Sequence, residues 1–307
     1  MMDKFEINIG GTDISFAVLE KGPEGAAHVS LTEARRVKSR VIIPDVIEHE
    51  GANYIVTQVG KKAFLSSKSL QFVSLPESVT YLDDWSFGKC INLRKLVIRG
   101  DNETVNCPLF GRGVFEDDER LTSICLGYED DDDLSVLLGM VPEKLKSEHL
   151  FSAQDLGQDA WFDSWDKELL NFLAVPDDAG YDELALCGEE DIMYSFPEYV
   201  SRSRRRKATL VLNRLMNDYL LSDKNYEDFG RYICGSALFD AWEVIKNDYA
   251  ENMEMLEMFC HIGAINEGNI DEFLNDMGEE MAAAKAFLIG YKREHFSAGD
   301  AFDDLEL

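Results

Sequence analysis

Positive charge is scarce in this sequence of 307 residues: 30 Lys and Arg stand against 59 Asp and Glu, a formal net charge of -29. A phosphate backbone is bound through a basic footprint, so the deficit argues against a nucleic-acid partner. An anionic membrane surface is repelled in the same way. Long apolar runs are missing too, and no stretch approaches the roughly 20 residues of a membrane-spanning helix. The first residues, Met1-Met2-Asp3-Lys4-Phe5-Glu6, place acids where a secretory leader needs an apolar run. The cysteines (Cys90, Cys107, Cys125, Cys187, Cys234, Cys260) include no C-x-x-C pair and read as reduced, buried thiols, not a disulfide framework. A cytoplasmic protein is the expectation.

Signatures of chemistry are equally absent. The histidines (His28, His49, His149, His261, His295) are scattered, and no H-E-x-x-H, G-x-S-x-G, G-x-x-x-x-G-K-[ST] or G-x-G-x-x-G occurs. Glu48-His49-Glu50 gathers an imidazole and two acids in a turn, with no nucleophile nearby. The run Glu129 to Asp133 lacks the turn glycine and distal glutamate of a calcium loop. No catalytic residue, metal ligand or cofactor is predicted.

What the chain does contain is apolar residues at 45%, enough to build real cores despite the charge. Length suggests about two domains, and the charge is divided among three stretches. Residues 1–111 hold 14 acids and 13 bases, residues 112–198 hold 24 and 5, and residues 199–307 hold 21 and 12. An acidic connector between two differently built regions is the natural reading.

The first region repeats. Phe64, Leu70, Val73 and Leu75 recur 23 residues on as Phe87, Leu93, Leu96 and Ile98, and 28 residues further as Phe115, Leu121, Ile124 and Leu126. In L-x-x-[VLI]-x-[LI] alternate residues face one side, so a short strand turns its aliphatics inward. The phenylalanine six residues earlier then comes from the opposite wall and fills the coil. A single coil cannot bury its face, so the coils must stack and be capped. The alternating segments 5–19 and 27–43 are expected to cap the first open edge.

The wording of these coils, Gly60, Ala63, Phe64, Leu70, Val73, Leu75, Pro76, Ser78 and Val79 followed by Phe87, Cys90 and Leu93, resembles leucine-rich repeats of the BspA type over residues 41–127. The third copy is degenerate, with Asp118 where the family cysteine would stand. The resemblance implies a solenoid with parallel strands, and implies binding in place of catalysis.

Beyond it the pattern turns helical. Trp161, Trp165, Leu169 and Phe172 make a stripe expected to be core. Ala208, Val211, Leu212, Leu215 and Tyr219 form one apolar face, and Met281, Ala284, Leu288 and Tyr291 another. Gly263 and Gly278 are placed as helix stops. The phrase Gly263-Ala264-Ile265-Asn266, a short helix, Gly278 and a longer helix is similar to ankyrin repeats, without their T-P-L-H. A basic run, Arg202, Arg204, Arg205, Arg206 and Lys207, is expected to dock on the chain's own acidic 112–198 stretch.

The expected fold is therefore α+β and multidomain: an N-terminal strand cap (1–40), a short leucine-rich-repeat solenoid (41–127), an acidic connector (128–198), an all-α region of ankyrin-like helical pairs (199–296) and an acidic tail (297–307). The expected function is non-enzymatic protein–protein interaction. The partner would be a protein met through the outward strand positions Gln71, Phe72, Ser74, Arg94, Lys95, Val97, Arg99, Thr122 and Ser123, with Cys125 ending the row. Arg94, Lys95 and Arg99 favour an acidic patch, either a partner's or the chain's own. A surface adhesin and a hydrolase with a buried carboxylate between the halves are the alternatives. Oligomeric state is not legible.

Overall fold

A computed structural model describes residues 3–21, 26–100, 107–127, 130–152, 155–182 and 195–296. The chain forms two units, Met1–Phe172 and Leu173–Leu307.

The first unit opens with a hairpin, β1 (Lys4–Ile9) and β2 (Thr12–Lys21). Its loop is Gly10-Gly11, both at positive φ (60° and 89°), the backbone that a tight two-residue hairpin turn requires. Strand β3 (Ala27–Arg35) pairs antiparallel with β2 and parallel with β6 (Ala52–Val59), and β5 (Ile47–His49) lies against β6. In β5, His49 stacks on Phe5 with ring centroids 4.6 Å apart. From β6 the sheet continues in parallel through β8 (Tyr81–Leu82) to β10 (Leu109–Phe110). The opposite wall is a parallel sheet in the order β11 (Ser123–Gly127), β9 (Lys95–Arg99), β7 (Phe72–Leu75), β4 (Arg40–Ile42). Segment 27–43 thus supplies a strand to each wall, as a coil does, while the hairpin β1–β2 covers the outer edge of β3.

The interior is what the spacing predicts. Leu70, Val73, Leu75, Leu93, Leu96, Ile98, Leu121 and Ile124 are buried. Phe64, Phe87 and Phe115 stack between the walls at centroid distances of 5.1 and 6.0 Å, and Phe151 continues the ladder 6.4 Å beyond Phe115. Cys90 is a buried thiol that donates to the Phe64 carbonyl at 3.1 Å.

The last coil is closed by helix α1 (Asp133–Met140). Asp132 caps it in a reciprocal box with Ser135, so one of the run of acids is spent on orphan N–H groups. Gly139 lets α1 lie directly on β11, since a Cβ there would meet the Thr122 carbonyl at 2.5 Å. Helix α2 (Asp159–Ala174) buries Trp161, Trp165 and Leu169, the indole N–H groups donating to Leu150 O (3.1 Å) and Leu137 O (3.2 Å). Three of the four stripe residues are core, and Phe172 is half-buried.

The second unit is helical: α3 (Phe196–Met216), α4 (Asp223–Cys234), α5 (Leu238–Asp248), α6 (Met253–His261), α7 (Ile270–Asp276) and α8 (Ala282–His295). Trp242, Phe259 and Phe273 centre its core. Gly263 ends α6 in the left-handed region (φ 81°), whereas Gly278 follows α7 in extended backbone. Tyr219 does not join the apolar face of α3, because the helix stops at Met216, and Tyr219 is exposed while Ala208, Val211, Leu212 and Leu215 are buried.

The basic run opens α3. Lys207, 3% exposed, donates to Asp177 Oδ1 at 2.8 Å and to the Val175 carbonyl; Arg204 Nε donates to Asp177 Oδ2 at 2.9 Å. Burial opposes the charge on Asp177, but these two cations outweigh it and hold its pKa below the ordinary value. Its contribution is therefore complete at neutral pH and lost on acidification through that lowered pKa. Asp177→Ala leaves Lys207 buried without its carboxylate and is expected to cost the helical unit about 1–3 kcal/mol at neutral pH. Urea unfolding of the variant followed by circular dichroism measures the loss, which should shrink in acid.

Candidate interaction surface

The strands of the second wall bring the nine predicted partner-binding positions together, but not as one exposed face. Gln71, Arg94 and Thr122 stand just before β7, β9 and β11 and are exposed. They form a column tied by the backbone: Gln71 N–H donates to Ser39 O, Arg94 N–H to Gln71 O and Thr122 N–H to Arg94 O, each at 2.8–2.9 Å. Ser39 extends the column by one coil.

The next row is Arg40, Phe72, Lys95 and Ser123, in register across the sheet. The Arg40 guanidinium sits 3.6 Å from the Phe72 ring centroid. Lys95 is half-buried and donates to Asp131 at 3.0 Å; burial opposes its charge, and the Asp131 contact raises its pKa nonetheless. The third row, Ile42, Ser74, Val97 and Cys125, places small residues between the longer side chains of Phe72, Lys95 and Arg99.

The expectation of a fully outward row is therefore narrowed. Ser74, Val97 and Ser123 are buried, and so is Cys125. Arg99 explains part of this. It reaches over the sheet to donate to Ser74 Oγ (2.9 Å), the Ile43 carbonyl (2.6 Å) and Asp45 (2.8 Å). Alternation assigns a residue to a side of the sheet; whether neighbours then cover it is decided by their length. Of the three cations expected to favour an acidic patch, Lys95 and Arg99 hold Asp131 and Asp45 of this chain, and Arg94 stands exposed.

The interior holds one anomaly that the sequence marks. Asp118, in the cysteine position of the third coil, is fully buried, and neither carboxylate oxygen has a hydrogen-bond partner among the described residues. A nearby donor, the Cys90 N–H, is already given to the Phe87 carbonyl. Burial pushes its pKa up to about 9. Burial, with Asp118 second, pushes the Cys90 thiol to about 12. Such a carboxyl is what a hidden hydrolase would need, yet Asp118 is sealed within the stack. Two cavities in this unit, of about 290 and 490 Å3, are lined without it. Among the described residues no group of three or more His, Cys, Asp or Glu side chains is placed to hold a metal ion, and no helix is long and apolar enough to cross a membrane.

Residues 51–129 match a family model described as "BspA type Leucine rich repeat region (6 copies)". Among solved structures, the chain is similar to a leucine rich cell surface protein from Faecalibacterium prausnitzii at 22% identity and a TM-score of 0.30, covering 38% of this chain and 29% of that one. A leucine-rich repeat protein from Bacteroides ovatus gives 22% identity and a TM-score of 0.30, with 40% and 29% covered. One from Bacteroides capillosus gives 18% and 0.29, with 40% and 99% covered. The chain thus spans under a third of the length of the first two. Comparison with curated proteins yields no match.

Proposed function

We propose that the protein is a non-enzymatic, cytoplasmic interaction scaffold whose solenoid meets a protein partner along the column Ser39, Gln71, Arg94, Thr122. The observation that carries this reading is the column itself. Four exposed side chains, each just ahead of a strand of the second wall, are fixed about 4.8 Å apart by main-chain bonds, a rigid row that loses little entropy on binding. Phe72, Lys95 and Arg99, half-buried beside it, would form the inner margin of the contact. Ser74, Val97 and Ser123 act beneath it as packing. The helical unit is read as an ankyrin-like array of helix pairs, with Gly263 ending α6 as such a turn requires.

The test is affinity capture from an extract of the native cell, with the full chain and with Gln71→Glu/Arg94→Glu/Thr122→Glu as paired baits. All three sites are exposed, so the variant should fold. A protein retained by the first bait and lost from the second supports the reading. Identical captures by both would sink it.

A further inference from the structure

The turns joining the two walls carry a second register. Lys62, Trp85 and Gly113 follow the 23- and 28-residue spacing of the phenylalanines, and all three have left-handed backbone, with φ of 61°, 58° and 58°. Ser66, Lys89 and Asp117 repeat this in the same order, at 60°, 61° and 64°. Main-chain bonds stack the turns, Lys62 N–H on Asp84 O and Trp85 N–H on Arg112 O, both at 3.1 Å. Left-handed backbone is costly for any side chain with a Cβ, and tryptophan in that region is an outlier. Here the stacked turns impose it, and the result is that the indole points out of the coil.

Two glycines seat the indole. A Cβ on Gly88 would meet the Trp85 ring at 2.9 Å, and one on Gly113 would meet it at 3.4 Å. Around this half-buried ring lies a groove of about 490 Å3 whose other walls are Leu65, Ser66 and four cations, Lys61, Lys62, Lys89 and Arg112. Residues 1–111 are nearly balanced, with 14 acids and 13 bases, so cations gathered along one groove are a local excess. Acids offset only part of it. Asp84 takes Lys61 at 3.3 Å and also faces Arg112, accepting its backbone N–H at 2.9 Å, and Asp117 takes Lys89 at 3.8 Å; the two ion pairs are exposed and readily exchanged.

We propose that this groove docks a short acidic segment of a partner protein, one apolar side chain resting on Trp85 and its flanking carboxylates held by Lys62, Lys89 and Arg112. A short ligand is favoured over a long polyanion by the charge around the groove. At physiological salt the local cations act within about 8 Å, whereas a nucleic acid or extended glycan would run on to the exposed acids Glu116, Asp117 and Glu119 that follow Arg112. The lysines offer point charges suited to scattered carboxylates. Aromatic Trp85 beside Leu65 offers an apolar face that a sugar phosphate or free anion would leave unused. The groove lies on the turns, outside the column of the proposed function, and the two can fail separately.

The probe is a fluorescein-labelled peptide of glutamates flanking one phenylalanine, titrated by anisotropy with the full chain. Saturable binding is expected, at least tenfold weaker for Lys62→Glu/Arg112→Glu and for Trp85→Ala, and unchanged for Gln71→Glu/Thr122→Glu. The same peptide with glutamines should not bind. The charge-reversed pair changes only exposed residues and keeps the test valid if Trp85→Ala misfolds. No binding of the glutamate peptide, or equal binding by the charge-reversed protein, would overturn the proposal. So would displacement by a heparin oligosaccharide that binds more tightly than the peptide, which would assign the groove to sulfated carbohydrate. Failure here leaves the capture result for the column untouched.

Discussion

Asp118→Cys is expected to stabilise the solenoid unit, and to do so more strongly in mild alkali than in mild acid. In the fold the carboxyl is held neutral up to about 9 against an ordinary 3.8, so the native state keeps a proton that the unfolded chain releases. The raised pKa means that the folded form is favoured below the ordinary value and loses ground as pH climbs towards the folded one. A thiol at this position has no such penalty at neutral pH. It also gains a bond, because Cys90 donates to the carbonyl of the preceding coil's phenylalanine, and the equivalent acceptor for residue 118 is Phe87 O. The gain should be about 2–4 kcal/mol near neutral pH and should shrink by about pH 4 to what the added hydrogen bond contributes. Chemical unfolding of both proteins across this range measures it. Two stability curves running parallel with pH would mean that Asp118 ionises freely in the fold.

Phe87→Ala should have the larger opposite effect. Phe87 is the central rung of the ladder, fully buried and stacked on Phe64 at 5.1 Å and Phe115 at 6.0 Å. Removing it opens a cavity between coils whose backbones cannot collapse, because main-chain bonds fix the walls on either side. A loss of about 3–5 kcal/mol follows for such a deletion, enough to unfold a marginal domain at ambient temperature. Urea unfolding should show the transition of the solenoid unit shifted or absent. A loss below about 1 kcal/mol would indicate that the rings do not share one core.

The repeat was legible because its physics is periodic. A phenylalanine and three aliphatics at fixed offsets leave few alternatives to a stacked coil, and every one of the twelve positions except Leu126 is buried. The cap was less legible. Segment 27–43 alternates like an edge strand, and nothing in alternation says that it feeds β3 to one wall and β4 to the other. Burial of Ser74 was hidden for a related reason, since it depends on Arg99 reaching across the sheet to Ser74, Ile43 and Asp45. Tyr219 was misplaced because helical spacing carries on past Met216, where the chain does not. The buried Arg214 gave no signal at all: its guanidinium is used by the turn after α3, donating to Asn217 O and Tyr219 O.

The groove is the instructive case. Its residues are unremarkable singly, and only the left-handed turn positions bring Lys62, Trp85 and Lys89 to one side of the solenoid. Aligning the turns at the spacing already found for the phenylalanines would have paired Lys62 with Trp85 and Ser66 with Lys89, leaving their direction to the backbone. The acidic stretch has changed meaning as well. Asp131 and Asp132 hold Lys95 and cap α1, and Asp177 holds Arg204 and Lys207, so part of the excess charge is structural.

The exposed column of the solenoid is proposed as the contact with a protein partner. Isothermal titration of the captured partner into the full chain and into Gln71→Glu/Arg94→Glu/Thr122→Glu tests it most directly, with melting temperatures matched as the control for folding. At least a tenfold loss of affinity is expected in the variant, about 1.4 kcal/mol or more. Equal affinity for the two proteins would contradict it.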